Sequence, residues 1–137
     1  TAIREGEVAI NHIVGGSDDR MRYDSVPAVV YMHPEIAGVG ATEEKLRAEG
    51  RYYRVLKLPM AYAGRYVVEN EQAPGLCKVL VDENDTILGC HILGNPASEL
   101  ILLAGIAVTD RSSIEDFRRH IFPHPTAGEI LHEVLFS

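Results

Sequence analysis

Phe122-Pro123-His124-Pro125-Thr126-Ala127-Gly128-Glu129 is the stretch whose residue types and spacing are best suited to chemistry. Imidazole titrates near neutral pH and can both take up and return a proton. Here it sits between two prolines, whose rings fix φ on either side of it and leave the backbone little freedom. A carboxylate five residues on, one turn into a following helix, can fold back onto one ring nitrogen. A histidine oriented by a carboxylate is a general acid/base arrangement, with His124 as proton acceptor and Glu129 as its orienter. The spacing has a second reading. Thr126-x-x-Glu129 is also a capping box, in which Glu129 closes the first turn of a terminal helix and His124 is only a loop residue.

Other chemistry-bearing residues carry less. Gly38-Val39-Gly40-Ala41-Thr42-Glu43 opens like a dinucleotide fingerprint, but the third glycine is missing and Glu43 puts negative charge where a pyrophosphate would lie. It reads as a turn and a capped helix. Neither a P-loop nor a G-x-S-x-G elbow occurs. Of the six histidines, His120 and His124 are four apart, yet Pro123 and Pro125 rule out a shared helical face. Glu129-x-x-His132 is half of a di-iron carboxylate pattern with no second copy, so no metal site is expected. Cys77 and Cys90 lie in apolar runs on the two arms of a hairpin. A loop at Glu83-Asn84 would set Cys77 opposite Cys90, and a loop at Asn84-Asp85 would set it opposite Ile92. In either register the thiols share a face and read as small buried hydrophobes rather than a redox pair.

The elements that must position these residues can be read from periodicity and punctuation. Residues 2–13 form an amphipathic helical pattern that stops at Gly15-Gly16-Ser17-Asp18-Asp19. Val26 to Met32 is a strand with Pro27 near its start, and residues 52–58 are another, ended by Pro59. Thr42 caps a helix from Glu43 to Glu49, which Gly50 stops. Leu76 to Val81 and Thr86 to Leu93 are the hairpin arms. Asn95 caps and Pro96 opens a helix to about Val108 that is apolar around nearly its whole circumference. One sheet cannot cover all of it, so loops or a second subunit must, and the subunit is the favoured cover. Ser112-x-x-Glu115 is a capping box for a helix over 113–120. Strands first and helices last imply an α+β layer, a mostly antiparallel sheet covered by helices.

Composition narrows the setting. With 137 residues, 46% of them apolar, the chain fills one domain and leaves no room for a dinucleotide fold as well. Thirteen basic against twenty acidic residues give a net charge of −7, which disfavours nucleic acid. No apolar stretch approaches a membrane span, and the start lacks the order of a signal peptide. Two cysteines do not make a secreted disulfide scaffold, and a reducing compartment is expected.

Five stretches together resemble a known family: Tyr23 to Tyr31, Pro34 to Glu43, Gly75 to Asp82, Ile87 through Glu99 to Ile101, and His124-Pro125-Thr126-x-x-Glu129. Their order is similar to the C-terminal interface domain of the pyridine nucleotide-disulfide oxidoreductases, and within them to the dihydrolipoamide dehydrogenases. The resemblance covers essentially the whole chain. It implies an FAD/NAD-linked reductase dimerisation-domain fold, with residues 1–22 as the end of the last FAD-domain helix and its linker and 23–137 as the interface domain. The chain would then start inside that helix. Departures within the match are His33 where Thr or Ser often precedes Pro-Glu, and Ala127-Gly128 in place of Leu-Ser.

The resemblance further implies a homodimer in which His124, with Glu129 behind it, acts on dihydrolipoamide at the other subunit, His124 and Pro125 lying near that subunit's flavin. FAD and NAD would belong to the full-length enzyme, and the chain alone would bind neither and not turn over. Its partner would be a lipoyl domain of a 2-oxoacid dehydrogenase complex or of the glycine cleavage system, in the cytoplasm or the mitochondrial matrix. A cis His124–Pro125 bond is also expected. Two rivals remain: a stand-alone dimerisation or binding module without catalysis, and the same domain of a sibling flavoprotein disulfide reductase.

Overall fold

The computed structural model describes residues 1–16, 18–71 and 73–137, so Ser17 of the glycine-rich break lies outside the described residues. Among these, five strands form one sheet: Ala28–Val30 (β1), Ile36–Gly40 (β2), Arg54–Pro59 (β3), Leu76–Val81 (β4) and Ile87–Leu93 (β5). Every pairing is antiparallel, in the order β1-β2-β5-β4-β3. Six α-helices accompany it: Ala2–Ile13 (α1), Glu43–Ala48 (α2), Gly64–Glu69 (α3), Ala97–Asp110 (α4), Ile114–Arg118 (α5) and Ile130–Glu133 (α6). This is the α+β layer expected from the order of elements.

The hairpin takes the second of the two registers, Cys77 opposite Ile92 and Cys90 opposite Val79, with an irregularity between Leu80 and Val81. The Asp82 side chain decides the turn, accepting from the amides of Asn84 at 2.9 Å and Thr86 at 2.8 Å, while Asp85 takes a φ of 60°. Both thiols are fully buried and free. The hydrogen bond with Cys77, and after it burial, pushes the Cys90 thiol well up, which suits an inert core residue.

Gly38 and Gly40 correct the sequence reading, because they lie in β2 and not in a turn. Gly40 has a φ of 79°, and a Cβ there would fall 2.3 Å from the Leu88 carbonyl oxygen of β5. A Cβ on Gly38 would meet the His91 ring at 2.9 Å. The glycines let two strands and a histidine approach. β1 is also shorter than expected: Pro27 offers no N–H, and the Met32 amide turns back to the Val30 carbonyl at 3.1 Å. Tyr52 and Tyr53 fall outside β3, while Pro59 is accepted as its last residue because β3 is an edge strand.

Two caps also differ from expectation. Asn95 does not cap α4, since its Oδ1 accepts from the Glu35 amide at 2.9 Å and its Nδ2 meets His33 Nδ1 at 3.0 Å. The Glu35 carboxylate, brought in from before β2, accepts from the Ser98 amide at 2.8 Å and lies at the positive end of the helix. At α5 the cap is Ser113, accepting from the Asp116 amide at 3.1 Å, one residue later than the box read at Ser112. The Ser112 carbonyl is already engaged by the Ile87 amide at 2.9 Å, which pins this corner to β5.

One face of the sheet, with Ala37, Val39, Cys77, Val79, Cys90 and Ile92, packs under α4 and the C-terminal turns. Leu100, Ile101, Ala104, Ala107 and Val108 fill that layer from α4, and Ile130, Leu131, Val134 and Leu135 close it. Each buried Leu, Ile or Val of this layer contributes about 1.5–3 kcal/mol by leaving water. On the other face α2 is held by Glu43, whose carboxylate meets Lys78 Nζ at 2.9 Å. That ammonium holds the Glu43 carboxyl below its usual range. No helix among the described residues is long and apolar enough to cross a membrane.

Candidate active site

The structure brings His124 and Glu129 together, and it does so without giving up the cap. Glu129 Oε1 lies 2.7 Å from His124 Nδ1, and Glu129 Oε2 accepts from the Thr126 amide at 2.8 Å. The two readings of the spacing are therefore one arrangement, with a separate oxygen for each. The Thr126 amide first, and the imidazole second, hold the Glu129 carboxyl below its ordinary value. An ionised carboxylate only accepts, so His124 Nδ1 must carry the proton and Nε2 of the neutral ring is left with its lone pair. The His124 side chain is 81% exposed and that of Glu129 21%. The base is presented and its orienter is tucked in.

The loop that carries the imidazole is tied down from both sides. Thr126 Oγ1 donates to the Pro123 carbonyl at 2.9 Å, and the His124–Pro125 bond is cis. Phe122 stacks between the two neighbouring helices, its ring 5.8 Å from Phe117 of α5 and 5.5 Å from His132 of α6. The Arg118 guanidinium sits 3.8 Å over the Phe136 ring and donates to the Leu135 carbonyl. Sequence reasoning missed this aromatic clamp, because nothing in the spacing of Phe117, Phe122 and His132 pairs them. Ala127, Ile130 and Leu131 bury the other side of the turn.

Gly128 follows the cap, and a Cβ there would meet Leu100, Thr126 and Leu103 at 3.7–4.0 Å, ordinary contact distances. We expect Gly128→Ala to raise stability by about 0.4–1 kcal/mol, chiefly by restricting the unfolded chain, and to leave the His124–Glu129 distance intact. Thermal unfolding together with a crystal structure of the variant checks this. Glu129 also makes stability depend on pH. Its folded pKa is depressed, so its contribution is complete above the unfolded value of about 4.3 and is lost as pH falls through the folded one. Urea unfolding of wild type and Glu129→Gln should therefore differ above about pH 4.5 and converge in stronger acid.

Of the other histidines, His132 lies one turn beyond Glu129 and adds a little to the lowering of its carboxyl. The His91 imidazole is half-buried beside Lys78 and Gly38, burial and then Lys78 disfavour its cation, and its Nδ1 has no partner. His120 faces the Phe117 carbonyl at 3.1 Å. Among the described residues no group of three or more His, Cys, Asp or Glu side chains could hold a metal ion. A dinucleotide does not fit at Gly38 and Gly40, since backbone of β5 fills the space where a pyrophosphate would approach.

An antiparallel sheet backed by one long helix thus carries a proline-bracketed histidine on the loop that precedes its terminal helical turns. The family model described as "Pyridine nucleotide-disulphide oxidoreductase, dimerisation domain" matches residues 26–135, and the chain belongs to that family. It is 46% identical over 135 residues to dihydrolipoyl dehydrogenase 1, mitochondrial, of Arabidopsis thaliana, covering 97% of this chain and 26% of that protein. The crystal structure of LpdA from Mycobacterium tuberculosis superposes with a TM-score of 0.88 at 25% identity, covering 97% of this chain and 29% of that one. The HOCl-induced flavoprotein disulfide reductase RclA from Escherichia coli gives a TM-score of 0.78 at 27% identity, covering 93% and 30%. The chain thus spans about a quarter of the length of the curated relatives it matches.

Proposed function

We propose that this chain is the dimerising part of a dihydrolipoamide dehydrogenase, and that His124, oriented by Glu129, is the acid/base group it delivers to the active site of the partner subunit. The observation that carries the reading is the bidentate Glu129, which fixes the imidazole through Nδ1 and leaves Nε2 facing outward. A thiol of ordinary pKa near 8.5 is mostly protonated at neutral pH. Its attack on a disulfide then needs a base, and Nε2 of His124 takes that proton. Glu129 stabilises the cation so formed and returns the ring to the same tautomer when the proton leaves. FAD and NAD would be held by other parts of the full-length enzyme, where they supply the path for electrons. Residues 1–22 would lead in from the flavin domain, in keeping with α1, which buries no side chain, and 23–137 would be the interface domain. A lipoyl domain would bring the substrate.

Homodimer formation is supported by α4. Its Leu102, Leu103 and Ile106 are exposed, an apolar stripe beside the buried face of the helix. Leu103 lies close to Gly128 of the capped turn, so the apolar stripe and the dyad share an edge. The test is complementation between full-length subunits. One subunit carries His124→Ala and the other lacks the redox-pair cysteines of its flavin domain. Delivery across the interface restores one working site per mixed dimer, whereas mixed dimers no more active than either parent would refute it. If dihydrolipoamide is not oxidised but another disulfide is reduced, the sibling reductase is the correct member.

A further inference from the structure

We infer that the cleft at the far end of α4 from the dyad is an anion site for a small organic phosphate. The cleft measures about 490 Å³ and lies where the C-terminus of α4, the β4–β5 turn, α2 and the segment before β1 meet. Four cations line it, Arg22, Lys45, Arg51 and Arg111. Arg22 is paired with Asp24 at 3.3 Å, and Arg51 lies 3.8 Å from Glu49. Asp82 spends one carboxylate oxygen on the amides of its own turn. Among the described residues Lys45 and Arg111 have no ion-pair or hydrogen-bond partner for their side-chain charge. Four cations against the carboxylates of Asp24, Glu49 and Asp82 leave the cleft one positive charge in excess, a local reversal of sign in a chain of net charge −7 that favours an anion.

Arg111 supplies an independent observation. It ends α4 in the left-handed conformation, φ 53° and ψ 41°, where its amide closes on the carbonyls of Ala107 and Val108. Glycine fits such a position without cost, and a residue with a Cβ does not. An arginine in the left-handed conformation that lines a cleft is the pattern of a residue kept for what its side chain holds. Ile87, Leu88 and Val108 form an apolar wall beside the cations. The volume greatly exceeds that of a bare phosphate, so the phosphate group would lie between Lys45 and Arg111 and a carbon skeleton against that wall.

The site is tested on the 15N-labelled 137-residue chain by NMR titration with inorganic phosphate at constant ionic strength, with succinate as a dianion of different geometry. Saturable shifts centred on the amides of Ala41, Lys45 and Arg111, stronger with phosphate than with succinate, are expected. Lys45→Gln and Arg111→Gly should each weaken binding about tenfold or more, and Arg111→Lys less. Arg111→Gly suits the left-handed backbone, so loss of binding with an otherwise unchanged spectrum is not loss of fold. Absence of saturable shifts, equal binding of succinate, or unchanged affinity in both variants would each overturn the assignment.

Discussion

In a full-length dimeric enzyme carrying this domain, His124→Ala is expected to slow reduction by dihydrolipoamide about 10²–10⁴-fold, the range for loss of a positioned general base. Hydride exchange between NADH and the flavin needs no thiol deprotonation and should change far less. Stopped-flow measurement of the two half-reactions separates them. Glu129→Gln should fall between wild type and His124→Ala, for a reason visible in the geometry. The carboxylate answers two donors, His124 Nδ1 and the Thr126 amide, with two acceptor oxygens. A carboxamide has one acceptor oxygen, so one donor is left facing an NH₂ group. The variant therefore loses either the tautomer control of His124 or the cap, the latter worth about 1 kcal/mol. If Glu129 were only a cap, Glu129→Gln would cost stability, and His124→Ala would leave the dihydrolipoamide rate at the wild-type value. That result would remove the dyad from the mechanism.

The second large effect is expected on α4, where adjacent turns of one apolar helix face different surroundings. Leu100 is 7% exposed and belongs to the main core, whereas Leu103 is 39% exposed beside the capped turn. Leu100→Glu places an unpaired carboxylate among Ile101, Ala104 and the sheet. An uncompensated buried charge costs several kcal/mol, against a total stability of about 5–15 kcal/mol for a domain of this kind. The variant should be unfolded or nearly so by circular dichroism at neutral pH. Leu103→Glu should keep the fold, because its side chain can reach water, and should weaken self-association in sedimentation. A folded Leu100→Glu would mean that this layer is looser than its burial indicates. A Leu103→Glu that sediments like wild type would move the dimer contact off this part of α4.

Local features of the sequence carried much of this. The hairpin, the Thr42 cap and Gly50 stop of α2, and the proline-bracketed histidine with Glu129 depend on interactions within a few residues, which spacing and residue type report directly. So does the α+β class, which follows from the order of the elements. The apolar circumference of α4 was equally plain, while Leu102, Leu103 and Ile106 stay exposed on the single chain.

Tertiary structure decided whatever depends on groups far apart in the chain. β2 was hidden because its glycines read as a turn, and only the approach of Leu88 and His91 from β5 explains why glycine is needed there. Asn95 before Pro96 has the sequence of a cap, yet Glu35, sixty-three residues before Ser98, holds that helix end and Asn95 serves the Glu35 amide instead. The aromatic clamp of Phe117, Phe122 and His132, and the division of α4 into buried Leu100 and exposed Leu103, likewise arise from packing between separate elements. The dyad stands between the two kinds of information. Sequence named its residues and left two roles for Glu129 in competition, because a linear spacing does not say which oxygen faces which donor. The fold of the turn resolved it by giving each donor its own oxygen.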